Sequence, residues 1–333
     1  MDWPLPIRFL LLPFSWVYGF VVRCKTVLYR SGILTQRRLN GAVVSVGNLT
    51  LGGTGKTPMV LWLAEKFLSE GKRVAILSRG YRGSEGTSDE IELLKRRLDR
   101  RMRFGVGADR FAEGRKLEQA EPVDVFLLDD GFQHLKLARD VDIVMLDGSK
   151  RLTNEWLLPA GSLREPISAC RRSDLLVVTR KFEGPPIETN DSHEHQLHYA
   201  QTRLLGFRRL NEWATPSGLG EIGTGPFFAF CGIGNPQAFF DDLKRWHVPV
   251  SGQQEYRDHH HYSPRDGAAL LDLAKKARAT ALVTTEKDEQ NLADVRIEEM
   301  PVYVAVMNLV FSSESKFVPA LDRILTERRG KSS

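Results

Sequence analysis

Residues 42–58 read AVVSVGNLTLGGTGKTP. The run Ala42–Val46 is apolar and β-branched, the composition of a buried strand. It ends in a loop that carries Gly52, Gly53 and Gly55. Beyond the loop Val60, Leu63, Ala64, Phe67 and Leu68 recur at helical spacing, and Gly71 stops the pattern. Strand, glycine loop, Gly-Lys-Thr and helix form the context of a phosphate-binding loop. The glycines let backbone N–H groups turn toward phosphate oxygens, and the helix N-terminus adds its dipole. Thr50, Leu51, Gly52, Gly53, Thr54, Gly55, Lys56 and Thr57 are the expected ATP contacts. Lys56 reaches for the β- and γ-phosphates, and the Thr57 hydroxyl is an expected Mg²⁺ ligand. The full pattern would begin with glycine at position 50, where this chain has Thr50.

Working outward, further apolar strands follow at βα spacing: Val74–Leu77, Val123–Leu128, Val141–Leu146 and Leu175–Val178. Continuous apolar strands separated by helical segments predict a doubly wound parallel sheet of the P-loop NTPase type. Ligands bind such sheets at the carboxyl ends of the strands. SRGYRG (78–83), DDGFQH (129–134) and the Thr179-Arg180 pair all fall there. Asp129 ends an apolar strand, as a metal-holding acid does; a turn or helix cap is its other reading. Asp130 joins it as a metal candidate. Arg79, Tyr81, Arg82, Gln133, His134, Arg164 and Glu165 lie in rim segments and are candidates for substrate contact. A guanidinium makes two bonds to a phosphate, so Arg79, Arg82 or Arg164 is expected to hold one already on the substrate, with an ATP contact or a plain surface arginine as the alternatives.

From Gly184 to Tyr199 the chain is polar, and His193, His195 and His198 sit in a segment read as a solvated loop. An α/β pattern restarts at Phe227. Its signals are FFAFC (227–231), a helix to Trp246, a helix after Pro264, a strand Ala281–Thr285 and a last strand Pro301–Met307. The expected domains are a front segment over 1–38, a kinase-like domain over 39–205, a linker over 206–225 and a smaller α/β domain over 226–333. The three consecutive histidines 259–261 cannot all face one ion on an ordinary backbone; one of them as a base or orienting group is the better reading.

Composition narrows the class. The chain has 333 residues, 42% hydrophobic and 27% charged, an ordinary globular balance. Three dispersed cysteines, Cys24, Cys170 and Cys231, argue against a disulfide framework or a thiolate metal site. The net charge of +5 resides entirely in residues 1–38, which hold six basic residues and one acid; the rest balances at 41 against 41. This is not the profile of a nucleic-acid binder. The front segment is apolar as well as basic. Its uncharged run, Phe9–Val22, is 14 residues, short of the roughly 20 that span a bilayer, and Pro13 and Gly19 interrupt it. Trp3, Trp16 and Tyr18 favour the headgroup layer, and Arg23, Lys25 and Arg30 suit anionic lipid. An amphipathic helix lying on an anionic membrane surface is expected, against the alternative of a helix docked on the protein's own core.

Seven segments taken together resemble one family. VGNLTLGGTGKTP (46–58), SRGYRG (78–83), DDGFQH (129–134), LPAGSLREP (158–166), GIGNPQAFF (232–240), DHHHYS (258–263) and TTEKD (284–288) are similar, in order, to the tetraacyldisaccharide 4'-kinases of lipid A synthesis. The resemblance implies ATP-dependent phosphorylation of the 4'-hydroxyl of a tetraacylated glucosamine disaccharide 1-phosphate. It implies Mg²⁺, no nucleic acid, no protein partner, and a location at the cytoplasmic face of a Gram-negative inner membrane. It also implies a two-stranded link to a smaller domain that closes over the active site. The proton acceptor would be an Asp–His pair, here Asp89 from the first domain and His259 from the second. Asp89 lies in Ser88-Asp89-Glu90-Ile91, which departs from the family's segment on both sides of the Asp-Glu pair. Two other classes stay open: a P-loop kinase for a soluble molecule, and a non-enzymatic nucleotide switch. The partner-binding ATPases carry a second lysine where this chain has Leu51, and a guanine-reading switch places its lysine differently from TTEKD.

Overall fold

In the computed structural model the described residues are 4–80, 89–98, 102–149, 152, 155–180, 197–212, 215–292 and 295–330. In chain order the elements are α1 (Leu5–Arg30), β1 (Ala42–Asn48), α2 (Lys56–Ser69), β2 (Val74–Ser78), α3 (Asp89–Arg97), β3 (Arg103–Val106), α4 (Arg110–Ala120), β4 (Val125–Asp129), β5 (Val141–Asp147), β6 (Leu175–Thr179) and β7 (Leu197–Arg209). Then come α5 (Leu219–Ile222), β8 (Phe227–Cys231), α6 (Pro236–Arg245), β9 (Val250–Glu255), α7 (Pro264–Lys276), β10 (Ala281–Thr285), α8 (Glu286–Asn291), β11 (Val302–Phe311) and α9 (Glu314–Gly330).

The chain forms two units. The first holds residues 1–87, 94–201 and 309–333, and the second holds 88–93 and 202–308. The strands β7 and β11 each run from one unit into the other, the two-stranded link that the resemblance implies. The boundaries differ from the expected ones in two places. Residues 206–225 belong to the second unit, and the C-terminal helix α9 returns to the first, where Phe317 and Leu321 are fully buried beside Val60, Leu63 and Phe67 of α2.

In the first unit the strand order is β3-β2-β4-β1-β5-β6-β7, and the pairings are parallel. Val44 and Val46 of β1 pack under α2, while Val43 joins Phe126 and Leu128 on the opposite face. Both faces of the sheet are covered, which is why these strands are apolar along their whole length. The chain goes left from β1 to β2 and right from β4 to β5, so the order reverses at β4 and β1, and the glycine loop leaves β1 at that point. In the second unit β11-β10-β8-β9 is likewise parallel, with Phe239, Phe240 and Leu243 of α6 on one face and Leu270 and Ala274 of α7 on the other.

Three features correct the sequence reading. Helix α1 runs unbroken for 26 residues through both Pro13 and Gly19. By length and composition alone it is long and apolar enough to cross a membrane. His198 is not in a loop: it is buried in β7, edge-on to Phe317 at 5.1 Å. His193 and His195 lie outside the described residues. The last strand continues beyond Met307 to Phe311.

Candidate active site

The phosphate-binding loop is built as the sequence requires. Gly52 has φ 109° and Gly55, which caps α2, has φ 88°, both in the region that favours glycine. The Asn48 side chain spans the loop, donating from Nδ2 to Thr54 Oγ1 at 3.0 Å. Thr57 is buried in the first turn of α2. The carbonyl of Leu49 accepts from Arg164 N at 2.7 Å, and Leu51 N donates to Ser162 O at 2.8 Å, so LPAGSLREP lies along the loop.

Lys56 meets a carboxylate at the end of β4. Its Nζ is 3.4 Å from Asp130 Oδ1, and Arg164 Nη1 is 2.8 Å from both Asp130 oxygens. Burial acts to raise the Asp130 carboxyl, yet Lys56 and Arg164 outweigh it and hold the group below its ordinary value. Asp130 has φ 50°, a conformation few side chains adopt. A carboxylate already neutralised by two cations is poorly suited to be the metal ligand expected of Asp130. Asp129 lies opposite Val46 in the register and is 3% exposed.

The other rim residues divide. Gln133 donates from Nε2 to the Asn48 carbonyl at 3.0 Å and so supports the base of the loop. His134 is half-buried; burial first, then Arg110 and Arg139, push it down from 6.5 to about 4, and it is neutral at physiological pH. Arg164 binds both Asp130 oxygens through Nη1. Glu165 is not on the rim at all. It is 4% exposed and bound through both oxygens by Arg172, at 2.5 and 2.7 Å. Arg172 also covers the Phe132 ring at 3.6 Å and donates to the Phe132 carbonyl at 2.9 Å, so the pair braces the DDGFQH turn. Tyr81 and Arg82 lie outside the described residues.

One residue escaped the sequence reading. Arg110 opens α4 and is buried, with Nη1 3.5 Å from His134 Nδ1. Burial first and then Arg79 lower its guanidinium, while Asp130 and Asp129 favour the charge. The available signal was its place directly after Asp109, the N-cap of the helix that follows β3.

Helix α1 docks beside this rim. Ser15 Oγ donates to Leu157 O at 3.0 Å and accepts from Ala160 N at 3.1 Å. Tyr18 OH donates to Arg164 O at 2.9 Å, and Lys25 Nζ donates to Gln133 O at 3.2 Å. A side chain at Gly19 would place its Cβ 2.7 Å from Leu157 Cδ1, so a larger residue there requires the Leu157 side chain to shift. The other face, with Leu10 at 74% and Trp16 at 71% exposure, is open and apolar.

In the second unit three motifs converge on Asp288, which is 1% exposed. It accepts from Gly232 N at 2.7 Å, Tyr262 OH at 2.8 Å and Thr285 Oγ1 at 2.6 Å. The Gly232 carbonyl in turn accepts from His259 N at 3.0 Å. His259 has φ 58° and an exposed ring, with Nε2 3.9 Å from Asp258 Oδ1. His260 instead stacks on Tyr256 and bonds Asp266 at 3.3 Å, so it and His259 face different surroundings. Asp89 is the first residue of α3, and its side chain lies outside the described part of the structure. Its segment, 88–93, belongs to the second unit and not the first, tied there by Lys287 Nζ to Glu90 Oε1 at 2.6 Å. Asp89 and His259 are therefore in the same unit, a correction to the expected division.

Comparison with known proteins places the chain. The family model for tetraacyldisaccharide-1-P 4'-kinase, LpxK, matches residues 7–326. The tetraacyldisaccharide 4'-kinase of Geobacter sulfurreducens is 38% identical, over 93% of this chain and 91% of its own length. That of Koribacter versatilis is 34% identical over 96% and 99%. The crystal structure of LpxK from Aquifex aeolicus in complex with ATP superposes with a TM-score of 0.75 at 29% identity, covering 96% of this chain and 99% of that one. With a match that runs through both units, and with the seven motifs in the same order, this chain belongs to the tetraacyldisaccharide 4'-kinase family.

Proposed function

We propose that this chain, a kinase of that family, transfers the γ-phosphoryl group of ATP to the 4'-hydroxyl of a tetraacylated glucosamine disaccharide 1-phosphate. The observation that carries the reading is Lys56 at the mouth of the glycine loop, held 3.4 Å from a carboxylate that a phosphate can replace. When ATP enters, Lys56 exchanges Asp130 for the β- and γ-phosphate oxygens, and Arg164 keeps Asp130 neutralised. Charge on the transferring group is then met by fixed donors, the largest contribution available to phosphoryl transfer. Thr57 and Asp129 are hard oxygen donors that would hold Mg²⁺. Such an ion supplies charge neutralisation on the β- and γ-phosphates when bound.

A sugar hydroxyl needs a proton acceptor, which contributes about 10²–10⁴-fold. Asp89 is the acceptor in this reading, with His259 orienting it. Both residues belong to the second unit, and the exposed His259 ring supports the assignment. Among the described residues, Arg79 and Arg110 are guanidinium groups available for the substrate's anionic parts. The open apolar face of α1 suits acyl chains and the interfacial layer of a membrane. Its docking through Ser15, Tyr18 and Lys25 favours a helix lying along the surface over a free span. ATP supply puts this surface on the cytoplasmic side.

The pair is tested by a double-mutant cycle. Asp89→Ala and His259→Ala should each lower kcat with KM for ATP unchanged, and the double variant should cost far less than the product of the two. Multiplicative losses would show that they do not act together. Retained kcat in Asp89→Ala would remove it as the base.

A further inference from the structure

The outer side of the phosphate-binding loop is held by residues with no part in the chemistry above. A peptide group is planar and trans, so the C=O of one residue and the N–H of the next point in opposite directions. Fixing the carbonyls of Gly53 and Thr54 on the outside therefore turns the N–H groups of Thr54 and Gly55 inward, where phosphate oxygens bind.

Both carbonyls are fixed from the end of β6. Thr179 Oγ1 donates to the Thr54 carbonyl at 3.1 Å, and Arg180 Nη1 donates to the Gly53 carbonyl at 3.0 Å. Arg180 is itself held. Its Nη1 lies 3.3 Å from Asp147 Oδ2, and the other Asp147 oxygen accepts from Ser149 N at 3.0 Å and Ser149 Oγ at 2.6 Å. The Asp147 carboxylate is buried at the end of β5, where a lone charge would be costly, so Arg180 is both its counter-ion and the donor to the loop. Arg180 also has φ 54°, a conformation that a long side chain keeps only where its surroundings hold it. Two neighbouring strand ends thus support one bond to the loop.

We propose that Arg180, held by Asp147, is a positioning residue that orients the phosphate-binding loop and so sets the affinity for ATP. The inference rests on the kinase reading and adds to it the residue that prepares the loop before nucleotide arrives.

The test uses the full-length protein in detergent, with ATP binding measured by calorimetry, steady-state transfer and thermal melting. Loss of one charge-assisted bond predicts that Arg180→Ala weakens ATP binding about tenfold and raises KM for ATP in step. KM for the lipid acceptor should stay at its wild-type value, a split that a merely structural role would not give, while the unpaired Asp147 carboxylate lowers the melting temperature. Arg180→Lys should restore most of the affinity. Asp147→Asn should weaken ATP binding as well, and the double variant should be no weaker than the poorer single one, because both act through one clamp. Affinity in Arg180→Ala within about twofold of wild type, or losses that multiply in the double variant, would overturn the inference alone. Absence of ATP binding by the wild-type protein would overturn the kinase reading and this inference with it.

Discussion

Asp288→Ala removes a carboxylate that accepts hydrogen bonds from Gly232 N, Tyr262 OH and Thr285 Oγ1, at 2.7, 2.8 and 2.6 Å. All three donors are buried, and an alanine-sized void does not supply them with three acceptors. Each buried donor left unpaired costs about 1–3 kcal/mol. Allowing for local relaxation, Asp288→Ala should destabilise the second unit by about 4 kcal/mol, a large share of the 5–15 typical of a domain. Asp288→Asn keeps the shape and an oxygen for Gly232 N and Tyr262 OH, and the Thr285 hydroxyl can turn to accept from the new amide. It should cost about 1 kcal/mol. The pH dependence has a definite sign. Burial pushes the Asp288 carboxyl up in spite of the bonds it accepts. The native state therefore binds this proton more tightly than the unfolded chain, and the contribution of Asp288 weakens as pH rises above 3.8. Asp288→Asn should gain on wild type over the same window. Native-state hydrogen exchange at the amides of β8 and β10 reports the opening of this unit by itself. Wild-type protection in Asp288→Ala would refute the reasoning.

Arg172→Ala should strand the buried Glu165 and leave the Phe132 carbonyl without its donor, costing about 3–5 kcal/mol by urea unfolding; a cost under about 1 kcal/mol would show that the pair is not a brace. His134 stays neutral in the fold down to about 4. The unfolded chain takes up that proton first, so His134 contributes fully above 6.5 and loses its contribution as pH falls toward 4. His134→Gln should flatten this acid limb in urea midpoints, and an unchanged pH profile would contradict the assignment. The full chain should co-sediment with anionic vesicles and be partly released by salt, and equal sedimentation by a chain lacking residues 1–38 would count against a membrane role for α1.

The strands legible in the sequence were those with both faces covered. β1, β4, β5 and β6 bury every residue, and an unbroken apolar run records that directly. β3 and β9 left no such run, because they are edge strands; β9, VSGQQE, alternates partly buried and exposed positions. β7 was masked by its mixed composition, and His198 followed it into a misread loop. The glycine loop could be read because its chemistry is local. What remained hidden depended on residues distant in the chain: α9 returning to pack on α2, Arg172 meeting Glu165, and Arg164 meeting Asp130. The full length of helix α1 was hidden because a charge count treats Arg8 and Arg23 as ends. In the structure Arg8 is absorbed at the docked face, donating to Ala160 O and Glu155.

The central claim is that Lys56 and its loop transfer phosphate to an acylated sugar. The most direct measurement is transfer of label from γ-labelled ATP to the tetraacylated disaccharide 1-phosphate in detergent, with wild type beside Lys56→Ala. The expected result is a Mg²⁺-dependent product phosphorylated at the 4'-hydroxyl by the wild type, with a loss of at least about 10²-fold in Lys56→Ala. Undiminished transfer in Lys56→Ala, or label passing to soluble sugars and not to the lipid, would contradict it.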